Sequence, residues 1–500
     1  MNTFMNELEN RFNYKFTENG ALAHRSTGSK VYDLFAFGGA YRSRSKEDCI
    51  LLFKNAIEED ADLTLKCLFY LRDCRGGQGE RRFFRICYKW LAEHYIGAAR
   101  KNLKLIPNFG RWDDLFVLLN TPLEKEVYEL IQSQLILDMK DSIGNKAISL
   151  LGKWMPSENA HNRNTIAIAK RIRNYLHLSS KEYRLMLSKL REHLKVLEKL
   201  MSANRWEEIE FDKIPSKAGL VYRNAFARRD MIAKKYESFI RDENTKVNAG
   251  TLYPYEVVEK ALEMRGRYNS NSTEREVINK YWDNLPDYLE GKNCSMMCVI
   301  DTSGSMWGRP INVAISLGLY CAEHITGPFS GKYISFASRP QLIETKGVDF
   351  VDKVHRIYRT NLVDNTNLTA VFDLLLATAV HEKVKKEDIP KTIVVISDME
   401  IDMATSSWRH YENRWTKKSA ATEMEKIRQK WNRCGIELPK LVYWNVNARN
   451  DTILDAGPNV SFVSGCSPII FRQVMTGKTG FDLMLEILLQ DRYKEIAALG

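Results

Sequence analysis

The sequence predicts a multidomain protein in which an all-α helical region precedes an α/β domain with a doubly wound, Rossmann-like sheet. Three observations predict this. The 500-residue length and 44% hydrophobic content exceed what a single core usually needs. Up to residue 290, apolar residues recur three and four positions apart, as in amphipathic helices. Beyond it, β-rich apolar runs alternate with helical segments, which is typical of a parallel sheet covered on both faces.

Residues 1–290 are predicted to form a series of antiparallel helix pairs. Short turns join successive helices, so we expect the pairs to stack as an irregular, HEAT-like solenoid. No sequence repeat of fixed period accompanies this pattern. The clearest predicted helices are 49–56, 64–71, 82–93, 112–119, 123–141, 165–176, 180–200 and 255–264.

Residues 291–476 are predicted to form the α/β domain. The runs 296–300 and 393–396 are apolar at every position, as expected of strands buried on both faces. Ligands of such a sheet are expected beyond the carboxyl ends of its strands. Residues 477–500 are predicted to form a last helix that packs on one of the domains. The predicted strands are 295–300, 332–336, 392–396, 440–446 and 460–463, and the predicted helices are 311–324, 350–357, 369–384, 418–434 and 469–475.

Cysteine usage and hydropathy indicate a soluble protein of the cytoplasm, or of the nucleus, without a membrane partner. The nine cysteines are odd in number and irregularly spaced, which is typical of reduced thiols. The first residues lack the basic end and apolar stretch of a signal peptide, and no segment reaches the length of a membrane span.

Positive charge is concentrated in one part of the chain. Residues 151–241 contain 20 Lys and Arg against 10 Asp and Glu, which accounts for most of the formal net charge of +11. A concentrated positive field favours a polyanionic partner, because each neutralised phosphate releases a counterion. A solvated helix face rich in lysine explains the same composition, and both interpretations stay open.

The strongest motif for chemistry directly follows the first predicted strand of the α/β domain. Asp301, Ser303 and Ser305 alternate in this loop, so one carboxylate and two hydroxyls can point into one site. Thr366, before a predicted helix, and Asp398, at the end of another buried strand, fit the same edge. Such hard oxygen donors suit Mg²⁺, or another hard divalent cation, better than Zn²⁺.

These residues resemble the metal-ion-dependent adhesion site (MIDAS) of the von Willebrand factor A (vWA) domain family. That family has Asp-x-Ser-x-Ser after the first strand, a Thr in a second loop and an Asp in a third. The resemblance implies that Ser303, Ser305 and Thr366 ligate Mg²⁺ directly, with Thr369 a less suitable candidate for the threonine. It implies that Asp301 and Asp398 act mainly through bound water, and that an open position accepts a partner's acidic group.

Other interpretations of the loop are an ordinary turn or a catalytic carboxylate. An Asx hydrogen bond would explain Asp301 in a turn. The second loop of an aspartic protease is missing, and a phosphatase would want an acid where Ser303 stands. A metal-dependent nuclease would favour paired metals and more acids. No phosphate-binding loop, dinucleotide fingerprint or nucleophile elbow occurs, so we expect a non-enzymatic protein.

The order of the two regions resembles the Ro autoantigen family, in which a TROVE module of helical repeats precedes a vWA domain. Three motifs support the resemblance, at 71–81, 112–115 and 214–218, and they suggest an uncharacterised Ro-related family rather than Ro itself. The resemblance implies binding of small structured or misfolded RNAs and a ribonucleoprotein role.

Basic residues of the helical region are the candidate RNA contacts. A glycine-rich turn at 76–79 would offer backbone N–H groups to a phosphate, unless its arginines pair with Asp73 and Glu80. Tyr175, Tyr222, Phe226 and Tyr236 would stack on bases, or belong to the core. The candidates are Arg75, Arg81, Arg82, Lys170, Arg171, Arg173, Arg228, Arg229, Lys234 and Lys235.

We therefore expect an RNA-binding protein whose vWA domain binds Mg²⁺ and a partner. The alternative is a protein-interaction adaptor that recruits an acidic partner, such as an AAA ATPase, without RNA.

Overall fold

The computed structural model describes residues 13–18, 22–265, 272–289, 295–336, 339–360, 367–400, 423–454, 459–474 and 478–498. The chain forms two compact units. The α/β unit comprises residues 1–60 and 252–491, and the helical unit comprises residues 61–251 and 492–500. The limits of these two units differ from the domain boundaries predicted from the sequence, which lie at residues 290 and 476.

The amino-terminal segment belongs to the α/β unit. Strands β1 (Tyr14–Phe16) and β2 (Leu22–His24) pair antiparallel, and helices α1 (Lys30–Phe37) and α2 (Lys46–Glu59) follow. Ser29 and Ser45 cap the two helices, each accepting a hydrogen bond from a first-turn N–H. Every residue of α1 after Lys30 is buried, so this helix is part of the core.

The helical unit consists of α-helices joined by short turns and 3₁₀ segments, which confirms the helical prediction. The predicted helix 112–119 is a 3₁₀-helix, Trp112–Leu118. The predicted helix 180–200 is interrupted where Lys195 has a φ of 47°. Its helices are α3 (Ala61–Arg72), α4 (Arg81–His94), α5 (Ile96–Asn102), α6 (Ile106–Phe109), α7 (Glu124–Ile143), α8 (Leu151–Trp154), α9 (Arg163–Tyr175), α10 (Ser180–His193), α11 (Leu197–Ser202), α12 (Ser216–Arg228) and α13 (Asp230–Arg241).

The rest of the α/β unit begins with two helices, α14 (Pro254–Glu263) and α15 (Ser272–Asp283). They belong here because their apolar faces are buried in this unit; Trp282, for example, stacks on Phe350 at 4.1 Å. The following helices are α16 (Arg309–His324), α17 (Phe350–Thr360), α18 (Leu368–His381), α19 (Glu423–Arg433), α20 (Ile469–Val474) and α21 (Gly480–Leu488).

The sheet of the α/β unit has six strands in the order β5-β4-β3-β6-β7-β8. All neighbours pair parallel except β4 and β5, which are antiparallel. The five predicted strands are confirmed, whereas β5 was not predicted. The strands are β3 (Met296–Asp301), β4 (Lys332–Phe336), β5 (Gln341–Glu344), β6 (Thr392–Ser397), β7 (Lys440–Asn445) and β8 (Val460–Ser464).

Both faces of the central strands are covered. Successive side chains of a strand point to opposite faces, and all six residues of β3 are buried. Helix α16 approaches so closely that a Cβ on Gly318 would lie 1.9 Å from Ile300 Cδ1. After β3, the chain adds β4 and β5 on one side of it, and then β6, β7 and β8 on the other side. The strand order therefore reverses between β3 and β6. The crevice of such a sheet opens at this reversal.

The carboxyl-terminal segment is not one long helix. Helix α21 ends at Leu488, so it is shorter than the predicted helix 477–500. Residues from Arg492 onward belong to the helical unit, where Asn102 Nδ2 donates to the carbonyl of Ala497 at 2.8 Å. Across the described ranges, no helix has the length and apolar character needed to cross a membrane.

Candidate metal centre

Two strand ends meet at the reversal of the strand order. Ile300 and Ile396 are register partners in β3 and β6, so Asp301 and Ser397, the last residues of these strands, lie side by side. Ser397 Oγ donates to Asp301 Oδ2 at 2.5 Å. Asp398 follows Ser397 directly. Because β3 and β6 are parallel and in register, the carboxylates of Asp301 and Asp398 lie near each other.

The loop after β3 places its hydroxyls at the same edge. Ser303 N donates to Asp301 Oδ1 at 2.9 Å, which folds the loop back over the carboxylate. Ser303 Oγ and Ser305 Oγ are 3.0 Å apart. The structure thus brings together Asp301, Ser303, Ser305 and Asp398. The fifth predicted ligand, Thr366, lies outside the described residues, and Thr369 is in the first turn of α18.

The two carboxylates are buried. Asp301 and Asp398 are both 0% exposed. Burial, and then the negative charge of Asp398, raise the pKa of Asp301 above its usual range. Burial also raises the pKa of Asp398, against the hydrogen bonds of the Ser305 hydroxyl and the Glu400 N–H. Two ionised carboxylates here would repel each other, because neither side chain is exposed to solvent.

One oxygen of Asp398 has no hydrogen-bond donor among the described residues. Asp398 Oδ1 accepts a hydrogen bond from Glu400 N at 3.2 Å. Asp398 Oδ2 is buried and accepts no hydrogen bond from any group that the structure describes. Its nearest cationic group is Arg449, whose Nη1 lies 3.9 Å away, beyond hydrogen-bonding distance. A buried carboxylate oxygen without a donor is costly, and a cation would satisfy it.

The donor set fits a hard cation rather than zinc. It consists of carboxylate and hydroxyl oxygens, which Mg²⁺ prefers. The described ranges contain no group of three or more His, Cys, Asp or Glu side chains suited to a metal ion. A cation here would therefore depend on serine hydroxyls and water as well as on the two carboxylates.

Sequence reasoning missed residues that surround this centre. Ser397 orients Asp301, and its only local signal is a polar residue at the end of an apolar strand. Glu400 is 1% exposed and accepts from Thr452 Oγ1 at 3.0 Å and from Glu18 N at 2.7 Å. Arg449 lies between Asp398 and Glu18. Their partners are distant in the chain, so no sequence spacing indicates them.

Two protein-family models match this chain. A family model described as "Domain of unknown function (DUF2828)" matches residues 17–141 and 129–293, which is more than half of the chain. The chain belongs to the DUF2828 family. A second model, "Domain of unknown function (DUF7788)", matches residues 293–495 and includes the candidate metal centre.

Two further proteins are similar to this DUF2828 protein. "Uncharacterized protein L728" of Acanthamoeba polyphaga mimivirus is 30% identical, over 93% of this chain and 85% of the viral protein. The Ro (RSR) protein of Deinococcus radiodurans has 13% sequence identity and a TM-score of 0.34, over 94% of this chain and 100% of that protein. That TM-score is too low to establish a common fold.

The glycine-rich turn of the DUF2828 region is internally bonded. The backbone N–H groups of Gln78, Gly79 and Glu80 donate to the carbonyls of Tyr70, Asp73 and Leu71. A Cβ on Gly77 would lie 2.0 Å from the carbonyl oxygen of Tyr70. The N–H groups of residues 78–80 therefore already have acceptors and are not available to a phosphate, and Gly77 permits close packing; a phosphate site at Gly76 and Gly77 stays a prediction.

Two arginines near this turn pair with a carboxylate that lies outside it. Arg72 and Arg85 both bind Asp114, in the motif at 112–115, with N···O distances of 2.6 Å. Asp73 accepts hydrogen bonds from Arg492 and Tyr493. Two of the three motifs that carried the family resemblance thus form one buried network. Arg75, Arg81 and Arg82 stay exposed at its margin.

The other candidate RNA contacts fall into two groups. Arg171 and Arg173 form ion pairs with Glu124 at 2.6 Å and with Glu158 at 2.8 Å. Both arginines thus hold helix α9 against neighbouring segments of the helical unit. The second group is exposed and comprises Lys170, Arg228, Arg229, Lys234 and Lys235.

The members of this exposed group differ from one another in the contacts that they make. Arg229 lies 4.7 Å above the ring of Trp206, and Lys235 Nζ donates to the carbonyl of Ile209 at 3.3 Å. The side chains of Arg228 and Lys234 make no hydrogen bond or ion pair with a residue that the structure describes.

The predicted stacking aromatics are mainly structural. Phe226 and Tyr236 are buried and pack on each other at 5.3 Å, which favours the core over stacking on bases, the two interpretations that the sequence left open for them. Tyr175 stacks on Tyr128 at 4.6 Å. Tyr222 is partly exposed, and its hydroxyl lies 3.5 Å from Glu198.

Proposed function

We propose that this protein is a non-enzymatic binding protein whose vWA-type α/β domain holds Mg²⁺, or another hard divalent cation, and through it an acidic group of a partner. The observation that supports this most directly is the buried oxygen Asp398 Oδ2, which lacks a donor beside a second buried carboxylate. A divalent cation removes the repulsion and satisfies the oxygen at once. The hydroxyls of Ser303 and Ser305 complete a set of oxygen ligands at the same edge.

Measuring the stability of the protein at increasing Mg²⁺ concentration tests whether the site binds the cation. We expect Mg²⁺ to stabilise the native protein by about 2.7 kcal/mol when its concentration is 100 times the dissociation constant. Ser303→Ala removes one ligand and is expected to weaken Mg²⁺ binding at least about tenfold. Thermal unfolding with increasing MgCl₂ measures both effects, and Ser202→Ala, a serine of the helical unit, is the control. Equal responses of the Ser303→Ala and Ser202→Ala variants would contradict the proposed site.

We also propose that the helical region binds RNA. The support is the excess of positive charge in residues 151–241 together with the exposed pair Arg228 and Lys234, whose charges have no described partner. Such charges are available to phosphates without breaking a contact of the folded chain. Arg171 and Arg173 are poor test positions, because changing them also breaks ion pairs.

Salt dependence of RNA binding tests this second part. We expect the affinity for a structured RNA hairpin to fall steeply between about 50 and 200 mM salt. Reversing both charges, with Arg228→Glu and Lys234→Glu, is expected to weaken binding at least about tenfold and to reduce the salt slope. Lys385→Glu, an exposed lysine of the α/β unit, is the control. An affinity independent of salt and of these charges would rule out the RNA interface.

A protein-interaction adaptor is the second candidate. Trp307, two residues after Ser305, is 67% exposed, and exposed tryptophans are frequent anchors of protein interfaces. Binding of Mg²⁺ without salt-dependent RNA binding would favour this candidate over the first.

A further inference from the structure

Arg449 lies between two carboxylates of the α/β unit. Its Nη2 is 2.5 Å from Glu18 Oε2, and its Nη1 is 3.9 Å from Asp398 Oδ2, the buried oxygen of the candidate metal centre. The first distance is that of a close ion pair, whereas the second is too long for a hydrogen bond. The guanidinium therefore pairs with Glu18 and leaves Asp398 Oδ2 without a donor.

Glu18 is held beside the metal centre by the loops after β6 and β7. Its N–H donates to Glu400 Oε2 at 2.7 Å, and its Oε1 accepts from Asn450 Nδ2 at 3.0 Å. Glu400 is itself buried and accepts from Thr452 Oγ1 at 3.0 Å. The end of strand β1 thus supplies a fixed carboxylate on the far side of Arg449 from Asp398.

The side chain of Arg449 can reach either carboxylate. Its backbone is fixed, because its carbonyl accepts from Arg44 Nη1 and its N–H donates to the carbonyl of Asn447 at 2.9 Å. The side chain is 38% exposed, and its Nη1 makes no hydrogen bond with a residue that the structure describes. A rotation that brings Nη1 about 1 Å closer to Asp398 Oδ2 would give a charge-assisted hydrogen bond.

A cation at Asp398 and the guanidinium of Arg449 compete for the same oxygen. Two positive charges about 4 Å apart repel each other most strongly where solvent is excluded, and Asp398 is 0% exposed. A charge at about 4–6 Å changes the proton affinity of an ionisable group by about ten- to thousandfold, and it acts on a bound metal ion in the same direction. Glu18 opposes this effect, because it neutralises Arg449 and draws it away from Asp398.

We propose that Arg449 is a built-in competitor of the cation at Asp398, and that Glu18 holds it away, so that this pair controls the cation affinity of the site. Neither residue ligates the cation. Both are positioning residues, and the arrangement in which Arg449 pairs with Glu18 is the one that leaves Asp398 open. This inference rests on the cation site proposed above.

Calorimetric titration of the full-length protein with MgCl₂, at constant ionic strength, tests the proposal. Arg449→Gln is expected to bind Mg²⁺ about tenfold more tightly than the native protein, because the competing charge is gone. Glu18→Gln is expected to bind Mg²⁺ about tenfold more weakly, because Arg449 then pairs with Asp398. In the Arg449→Gln background, Glu18→Gln is expected to change the affinity less than about threefold, because Glu18 acts through Arg449.

Lys385→Gln is the matched control. Lys385 also has a nearby carboxylate, Glu387 at 3.8 Å, and it is 77% exposed. It precedes the amino end of β6, whereas Asp398 follows the carboxyl end, so its replacement is expected to leave Mg²⁺ affinity unchanged.

Two results would overturn the proposal while leaving the cation site in place. The first is native Mg²⁺ binding that Arg449→Gln tightens no more than Lys385→Gln does. The second is a Glu18→Gln effect of equal size with and without Arg449. Absence of Mg²⁺ binding in the native protein and in Arg449→Gln would instead remove the cation site and this inference together. Because Arg449 and Glu18 are 38% and 39% exposed, glutamine at either position is expected to leave the fold intact, which thermal unfolding in chelator verifies.

Discussion

Replacing Asp114 by alanine is expected to lower the free energy of unfolding of the helical unit by about 3–5 kcal/mol. Asp114 is fully buried, and its two oxygens accept hydrogen bonds from Arg72 and Arg85, with a third donor in the backbone N–H of Arg111 at 2.9 Å. Arg72 is only 3% exposed. Without Asp114 the guanidinium of Arg72 would remain buried and unpaired, which is the costly state of a broken buried ion pair.

Urea denaturation followed by circular dichroism measures this loss. The matched control is Glu129→Ala, which breaks the pair Lys125–Glu129 on the surface of α7, where the side chains are 78% and 52% exposed. Because water and salt screen such a pair, its loss is expected to change stability by about 0.5 kcal/mol or less. A loss in Asp114→Ala no larger than in Glu129→Ala would show that the network adds no stability.

Replacing Asp398 by asparagine is expected to have opposite effects with and without a divalent cation. In a chelator the variant is expected to be more stable than the native protein by on the order of 1 kcal/mol, because the change removes the repulsion between two buried carboxylates. Asparagine keeps the shape, and its Oδ1 still accepts from Glu400 N. With Mg²⁺ the order reverses, because the variant loses the stabilisation that the cation provides.

The Asp398→Asn substitution is also expected to change how the stability of the protein depends on pH. Asp301 and Asp398 have raised pKa values in the folded state, so without metal the folded protein binds protons more tightly than the unfolded chain does. The contribution of these two groups to stability is therefore largest at low pH and is lost as the pH rises through the raised values. Asp398→Asn is expected to flatten this dependence.

Thermal unfolding between pH 5.5 and 8, in chelator and in MgCl₂, measures both effects of Asp398→Asn. Asp388→Asn, at an exposed carboxylate of the same unit, is the control. Destabilisation of Asp398→Asn in chelator, or an unchanged response to Mg²⁺, would contradict the cation site.

Much of the candidate metal centre is predictable from the sequence, because its residues follow recognisable strand patterns. The runs 296–300 and 393–396 predict buried parallel strands, and the carboxyl ends of such strands lie at the same edge of a sheet. The sequence therefore places Asp301 and Asp398 at one edge, whereas the pairing of β3 with β6, which brings them together, comes from the tertiary structure. Ser397 was missed because hydrogen bonding to Asp301 depends on the register of β3 and β6, which apolar runs do not specify.

The contacts of the charged residues in the helical region, by contrast, are not predictable from the sequence. From composition alone, Arg171 and Arg173 are indistinguishable from Arg228 and Lys234 as contacts for a polyanion. The structure separates them, because the first two pair with carboxylates on other segments and the last two have no described partner. Pairing depends on which helices lie side by side, and helical periodicity says nothing of that.

The sequence by itself determined the order of a helical region and a mostly parallel sheet, and the edge at which the carboxylates and hydroxyls lie. These follow from short-range periodicity and from the geometry of parallel strands. Only the tertiary structure decided that Arg72 pairs with Asp114 and that Asp73 binds Arg492, 419 positions further along the chain. A contact between distant residues forms only when the packing of whole helices brings their side chains together, and no local pattern encodes that packing.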